Sequence, residues 1–195
     1  TEEINDARQL VVQVWYPSTD IGEEKVPWID HHKERAKSLS ENFKVPKFIA
    51  KSVDRVDTDS YIDLNPISDR NFPVIIFSHG FEGFRSQNTT QIQELVSHGY
   101  IVFSLDHTYD AVLTILEDGT QIPTAKKYCN GCDAEAFYNV FLPQINTRIA
   151  DIRFIIDQIE KIKEGKIESN LSNTIDLERL GVFGHSFGGG TSLAV

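Results

Sequence analysis

Three short, nearly uninterrupted apolar runs constrain this chain more than any other feature: Pro73-Val74-Ile75-Ile76-Phe77, Tyr100-Ile101-Val102-Phe103-Ser104-Leu105 and Leu180-Gly181-Val182-Phe183. A strand that is apolar on both faces must be covered on both, which is the condition of a parallel sheet flanked by helices. Between the first two runs, residues 88–98 put Ile92, Leu95 and Val96 on one helical face ahead of Gly99. Between the second and third, residues 145–163 repeat Ile145, Ile149, Ile152, Ile156, Ile159 and Ile162 every three or four positions. The opposite, polar face of that helix reads as Arg148, Asp151, Arg153, Asp157, Glu160 and Lys161. Strand and helix therefore alternate, and the fold class is α/β, a mostly parallel sheet with helices on both faces. A further strand is expected over residues 9–16, stopped by Pro17. The 195 residues suit a single domain spanning 1–195, with an excursion at about 20–60 where the periodicity loosens.

Composition narrows the partners. With 29 acidic against 19 basic residues the net charge is −10, a field that repels phosphate backbones and argues against nucleic acid. No apolar run approaches the roughly 18 residues needed to span a bilayer. The chain starts at Thr1 and contains no Met, so it is read as a piece of a longer protein, and the compartment stays open. Cys129 and Cys132 form a CxxC with no second pair and no nearby His, which reads as a loop carrying two thiols or a local disulfide rather than a zinc or redox site. No metal or other cofactor is implied.

The chemistry of such a sheet gathers at the carboxyl ends of its strands. There lie Ser78-His79-Gly80, Asp106-His107 and the heptapeptide Gly184-His185-Ser186-Phe187-Gly188-Gly189-Gly190. A serine at the tip of a tight strand-to-helix turn needs small neighbours, which Gly184 and Gly188 supply, and it faces the free amides of a helix start. Ser186 is therefore the candidate nucleophile. An oxyanion hole takes one amide from the residue after the nucleophile, Phe187, and one from the loop after an earlier strand, where Phe81 stands in Ser78-His79-Gly80-Phe81-Glu82-Gly83. His185 is expected to turn into the core and His79 to serve the loop. Asp106 and His107 are neighbours on a strand and should point to opposite faces, so they are poor joint partners for one serine.

Taken together, "PVIIFSHGFEGFRSQ", "LVSHGYIVFSLDH", "VQVWYPS" and "ERLGVFGHSFGG" resemble the platelet-activating-factor acetylhydrolase family of plasma or type II kind, whose members are α/β-hydrolases. The resemblance implies calcium-independent hydrolysis of short or oxidised acyl esters of phospholipids or related small esters, with Ser186 as nucleophile and Phe81 and Phe187 at the oxyanion hole. It leans slightly toward a secreted or cell-surface protein. In that fold the acid and the histidine of the triad follow the serine in sequence, so both are expected beyond Val195, and a protein ending there is expected to be inactive and poorly soluble. The alternatives are a non-catalytic binding protein of the same fold and a dienelactone-hydrolase-like enzyme. In the excursion, Trp28, Phe43, Phe48 and Ile49 with Lys33, Arg35, Lys37, Lys44 and Lys47 suggest either a weak lipid-surface contact or aromatics packed on the core, the second being the plainer reading.

Overall fold

The computed structural model describes residues 7–44, 46, 56, 58–125 and 131–195. Its main sheet runs β1 (Val11–Trp15), β3 (Ile101–Asp106), β2 (Phe72–Ser78), β6 (Ile175–Gly184), with β1 antiparallel to β3 and the other pairs parallel. Side chains alternate across β2 with the period of two that a pleated strand imposes. Val74 and Ile76 face one layer with Ile101, Phe103 and Leu105, covered by Ile152, Ile155 and Ile159 of helix α3 (Ala134–Lys163). Phe77 faces the other layer with Trp15 and Val102, covered by Ile92, Leu95 and Val96 of α2 (Thr89–Ser97). Burial on both faces is what the runs of β2 and β3 required; the third run does not reach it, since Leu180, Val182 and Phe183 of β6, last in the strand order, are half-buried.

Register then fixes the working edge. Ser78 pairs with Leu105 on one side and Gly184 on the other, so the carboxyl ends of β2, β3 and β6 are level. The residues just beyond each strand, His79, His107 and the pair His185-Ser186, consequently emerge side by side.

Two departures from the sequence expectations matter for the site. Helix α3 begins at Ala134, not near residue 145, with the Asp133 carboxylate accepting from the Ala136 amide at 2.8 Å and Pro143 inside the helix. An interior proline ordinarily costs about 3 kcal/mol. The helix nevertheless continues because Phe141, two residues before it, is buried against the rings of Phe81 and Phe187. The excursion is also partly helical, α1 (His32–Phe43), and a hairpin of β4 (Leu113–Ile115) and β5 (Gln121–Pro123) follows the β3 end.

Trp28 and Leu39 pack on a small core of Ile29, Phe84, Val112, Leu113 and Ile115, and the Trp28 indole donates to the Ser86 carbonyl at 3.0 Å. Arg35, read from the sequence as one of the surface cations, is instead fully buried. It spans from Asp30 (3.0 Å) to the Leu113 carbonyl (2.6 Å) and Asp106 (2.9 Å), which a long side chain on a polar helix does when its guanidinium finds paired carboxylates. Phe43 is exposed, while Phe48 and Ile49 lie outside the described residues, as does Cys129. Cys132 is disulfide-bonded.

Candidate active site

At the end of β6 the chain turns so sharply into α4 (Phe187–Ala194) that Ser186 is held at φ 51°, ψ −115°. A side chain at that positive φ is strained by about 1–3 kcal/mol and persists only where its surroundings enforce it. The enforcement is close packing. A methyl group on Gly188 would run into the Ser78 carbonyl oxygen and lie 2.5 Å from that of His79; one on Gly184 would strike Gly188 and come within 2.6 Å of the Ser78 oxygen. The His185 amide donates to the Ser78 carbonyl at 3.2 Å, and those of Gly188 and Gly190 close the first turn onto His185 and Ser186. Ser186 is left exposed at the tip.

His185 does not enter the core. It is exposed, with Nδ1 3.2 Å from the Gln87 side-chain amide and beside Gly80, where a Cβ would come within 2.9 Å of the ring. The tip reverses the usual alternation, so the residue before Ser186 shares the surface with it. Gln87 also accepts from the Gly80 amide at 2.9 Å, tying the loop after β2 to the elbow. Within that loop the Gly83 amide returns to the Gly80 carbonyl at 3.1 Å, and Glu82 takes φ 51°. The loop and elbow bring Phe81 and Phe187 together, ring centroids 6.3 Å apart, with Phe141 at 6.1 and 5.5 Å from them.

Asp106 and His107 part as adjacent strand residues should. Asp106 receives Arg35, the Arg85 backbone amide at 2.6 Å and the Arg85 guanidinium at 2.5 Å, and Arg85 also pairs with Asp30. His107 goes the other way, into a wholly buried relay. Its Nδ1 donates to Asp151 at 2.9 Å, and its Nε2 accepts from the Ser78 hydroxyl at 2.9 Å. Arg8 completes the carboxylate's shell with two bonds of 2.7 and 2.8 Å. Burial, opposed by the Asp151 hydrogen bond, pushes His107 down to about 4. Burial also acts to raise Asp151, but the bonds from His107 and Arg8 outweigh it and hold the carboxyl below its ordinary range.

These are the three residue types of a hydrolytic triad, yet Ser78 is sealed in the sheet and meets no solvent. His79 is buried beside it. Nδ1 donates to the Gly80 carbonyl at 2.7 Å and Nε2 accepts from the His107 amide at 3.1 Å, and burial, then the nearby Arg148, keeps the ring neutral. With His107 and His79 so occupied, and His185 turned to Gln87, none of these three imidazoles hydrogen-bonds the Ser186 hydroxyl in the described structure.

The sequence reading put Arg148 and Asp151 on the solvent face of α3; both are buried. The signal was present, since Arg148, Ile152, Ile155 and Ile159 form an unbroken stripe of four-, three- and four-residue steps, and a charge inside such a stripe is aimed at the core. Among the described residues no group of three or more His, Cys, Asp or Glu side chains is arranged to hold a metal ion.

A family model described as platelet-activating factor acetylhydrolase, isoform II, matches residues 1–195. The chain belongs to this family. The platelet-activating factor acetylhydrolase of Bos taurus is 24% identical over 92% of this chain and 45% of its own length. A probable 1-alkyl-2-acetylglycerophosphocholine esterase of Arthroderma benhamiae is 27% identical over 70% of this chain and 30% of its own. Among solved structures, a ferulic acid esterase from Streptomyces cinnamoneus superposes with a TM-score of 0.71 and 25% identity, over 95% of this chain and 47% of that one. The architecture is thus an α/β-hydrolase fold, and the chain spans about half the length of the curated relatives it matches.

Proposed function

We propose that the protein is a serine ester hydrolase that cleaves short or oxidised acyl esters, of phospholipids or of other alcohols, through an acyl-enzyme on Ser186. The observation that carries this reading is the exposed Ser186 held at φ 51° between two glycines that admit no side chain. In the first half-reaction the Ser186 oxygen bonds to the ester carbonyl carbon, and its proton passes to an imidazole and then to the departing alcohol. The carbonyl oxygen, now an anion, is received by the backbone amides of Phe81 and Phe187, and α4 directs its amino end at the same charge. Water then takes the place of the alcohol, releasing the acid and the free serine. The imidazole and its carboxylate partner are to be supplied from outside the residues described, since His107 is committed to Ser78 and Asp151. The names of the mammalian and fungal relatives favour an acetyl or similarly short acyl group on a glycerophospholipid, and the ferulic acid esterase favours keeping non-lipid esters within range.

The test is labelling of the full-length protein with a fluorophosphonate, with Ser186→Ala as control. Labelling that disappears in the variant supports the reading. Equal labelling of both proteins removes Ser186 from the mechanism.

A further inference from the structure

We infer that Arg148 is a positioning residue that aims the Phe81 amide at the oxyanion, with Gln87 fixing the opposite end of the same loop; the inference rests on the reading of Ser186 and Phe81 given above. Arg148 lies on α3, outside the heptapeptide and outside the loop, and is wholly buried. Its guanidinium makes three directed bonds at once: Nε to the Asp110 carboxylate at 2.7 Å, Nη1 to the His79 carbonyl at 2.6 Å and Nη2 to the Gly80 carbonyl at 3.3 Å. Its carbon centre also sits 4.7 Å from the centroid of the Phe187 ring. One planar group therefore touches both segments proposed to receive the anion.

The consequence for Phe81 follows from peptide geometry. In a trans peptide the carbonyl and the amide hydrogen point in opposite directions. The chain has no cis bonds in the described structure. Holding the Gly80 oxygen on Arg148, His79 and Gly83 thus fixes the Phe81 hydrogen on the opposite side of the peptide, the side on which the proposed oxyanion would lie. The preceding peptide is held at both ends, its oxygen by Arg148 and its Gly80 hydrogen by the Gln87 side chain at 2.9 Å. Two consecutive peptides, joined at Gly80 and free to rotate on their own, are left with one orientation.

A buried cation that merely balances charge would need no such geometry. Asp151 is served by Arg8, and Asp106 and Asp30 by Arg35 and Arg85; Arg148 balances Asp110 through Nε, and charge balance leaves unexplained why both of its Nη groups are spent on loop carbonyls. Burial pushes Arg148 down to about 9, which still leaves it charged at neutral pH and able to donate throughout. A lysine keeps the charge but has a single nitrogen that cannot lie in the plane of three acceptors and stack on a ring. Charge and orientation are thereby separable by mutation.

The experiment uses the full-length protein as wild type, Arg148→Lys, Arg148→Gln and Gln87→Leu. Turnover of p-nitrophenyl acetate is expressed per site titrated by a fluorophosphonate, and inhibition is measured with a trifluoromethyl ketone that forms a tetrahedral anion on serine. Misplacing a catalytic group by about 1 Å costs on the order of 100-fold. Both Arg148 variants are expected to lose about 10- to 100-fold in kcat per titrated site with KM nearly unchanged, and affinity for the ketone to fall by the same factor. Arg148→Lys turning over within about twofold of wild type per site, or a raised KM with kcat intact, overturns the inference. Should the Arg148 variants fail to fold, half-buried Gln87 carries the test: Gln87→Leu lowers kcat several-fold at constant KM if the held peptides aim the amide, and an unchanged kcat overturns it. Retained labelling of Ser186→Ala is the separate outcome that defeats the site assignment itself.

Discussion

Replacing His107 by glutamine should flatten the acid limb of the protein's stability curve. In the folded chain burial, against the opposing pull of Asp151, holds His107 at about 4, whereas an unfolded chain leaves it at the ordinary 6.5. Between those values the unfolded chain binds a proton that the folded chain refuses. Stability contributed by the neutral ring is therefore complete above 6.5 and is lost as pH falls through the window, levelling below 4. The loss amounts to about 2 kcal/mol between pH 8 and pH 5 and about 3 kcal/mol by pH 4.

His79, which burial also holds well below its ordinary value, adds a loss of the same sign, so the wild-type curve alone does not isolate His107. The difference between the two proteins does. Glutamine has its own cost at pH 8, about 1–3 kcal/mol for imperfect bonds to Ser78 and Asp151. Urea unfolding followed by tryptophan fluorescence at pH 8, 7, 6 and 5 should show the gap between wild type and His107→Gln closing by about 2 kcal/mol. Asp151, held below the usual carboxylate range, does not titrate in this interval. Two curves that stay parallel from pH 8 to pH 5 would refute the argument.

Ser78→Ala removes the hydroxyl that His107 accepts and should cost about 1–2 kcal/mol in urea unfolding, with fluorophosphonate labelling intact because the sealed serine is not the one that reacts. Gly188→Ala forces a methyl group against the Ser78 and His79 carbonyl oxygens; the elbow must open, with about 1–3 kcal/mol or more of destabilisation and a labelling rate at least tenfold lower in a stopped time course. Asp106→Asn leaves the buried Arg35 and half of the Arg85 fork without their shared carboxylate and should cost about 3–5 kcal/mol in a thermal melt, while the labelling rate per folded molecule stays at the wild-type value.

How far each part of the molecule is legible in the sequence follows from where its stabilising contacts come from. The central strands are legible because Val74, Ile76, Ile101 and Phe103 are apolar on consecutive residues or alternate ones, and no other arrangement buries both faces. The elbow is legible because its glycines answer a local steric demand. Helix α1 is not, since it buries only Arg35 and Ala36 and is tied to the core by an ion pair from Arg35 to Asp106, a carboxylate distant in sequence. The first turns of α3 are hidden for a similar reason: Pro143 signals a stop, and the contact that overrides it, Phe141 against Phe81 and Phe187, is long-range. Arg148 and Asp151 fit a solvent face if isoleucines alone are counted. Their partners, loop carbonyls and a histidine at the end of another strand, have no mark in the local sequence.

The close approach of Gly188 to the carbonyls of Ser78 and His79 also sets an order of assembly. The strand that shapes the elbow is synthesised before the serine it shapes, so the proposed reactive turn cannot exist until a non-local strand pairing has closed. A nascent or misfolded chain that holds every residue of the heptapeptide, even as strand and helix, still presents only an ordinary alcohol. With Ser186 as the proposed nucleophile, chemical competence is in this sense a report on tertiary completion, and a reagent that labels it would count finished molecules rather than polypeptide.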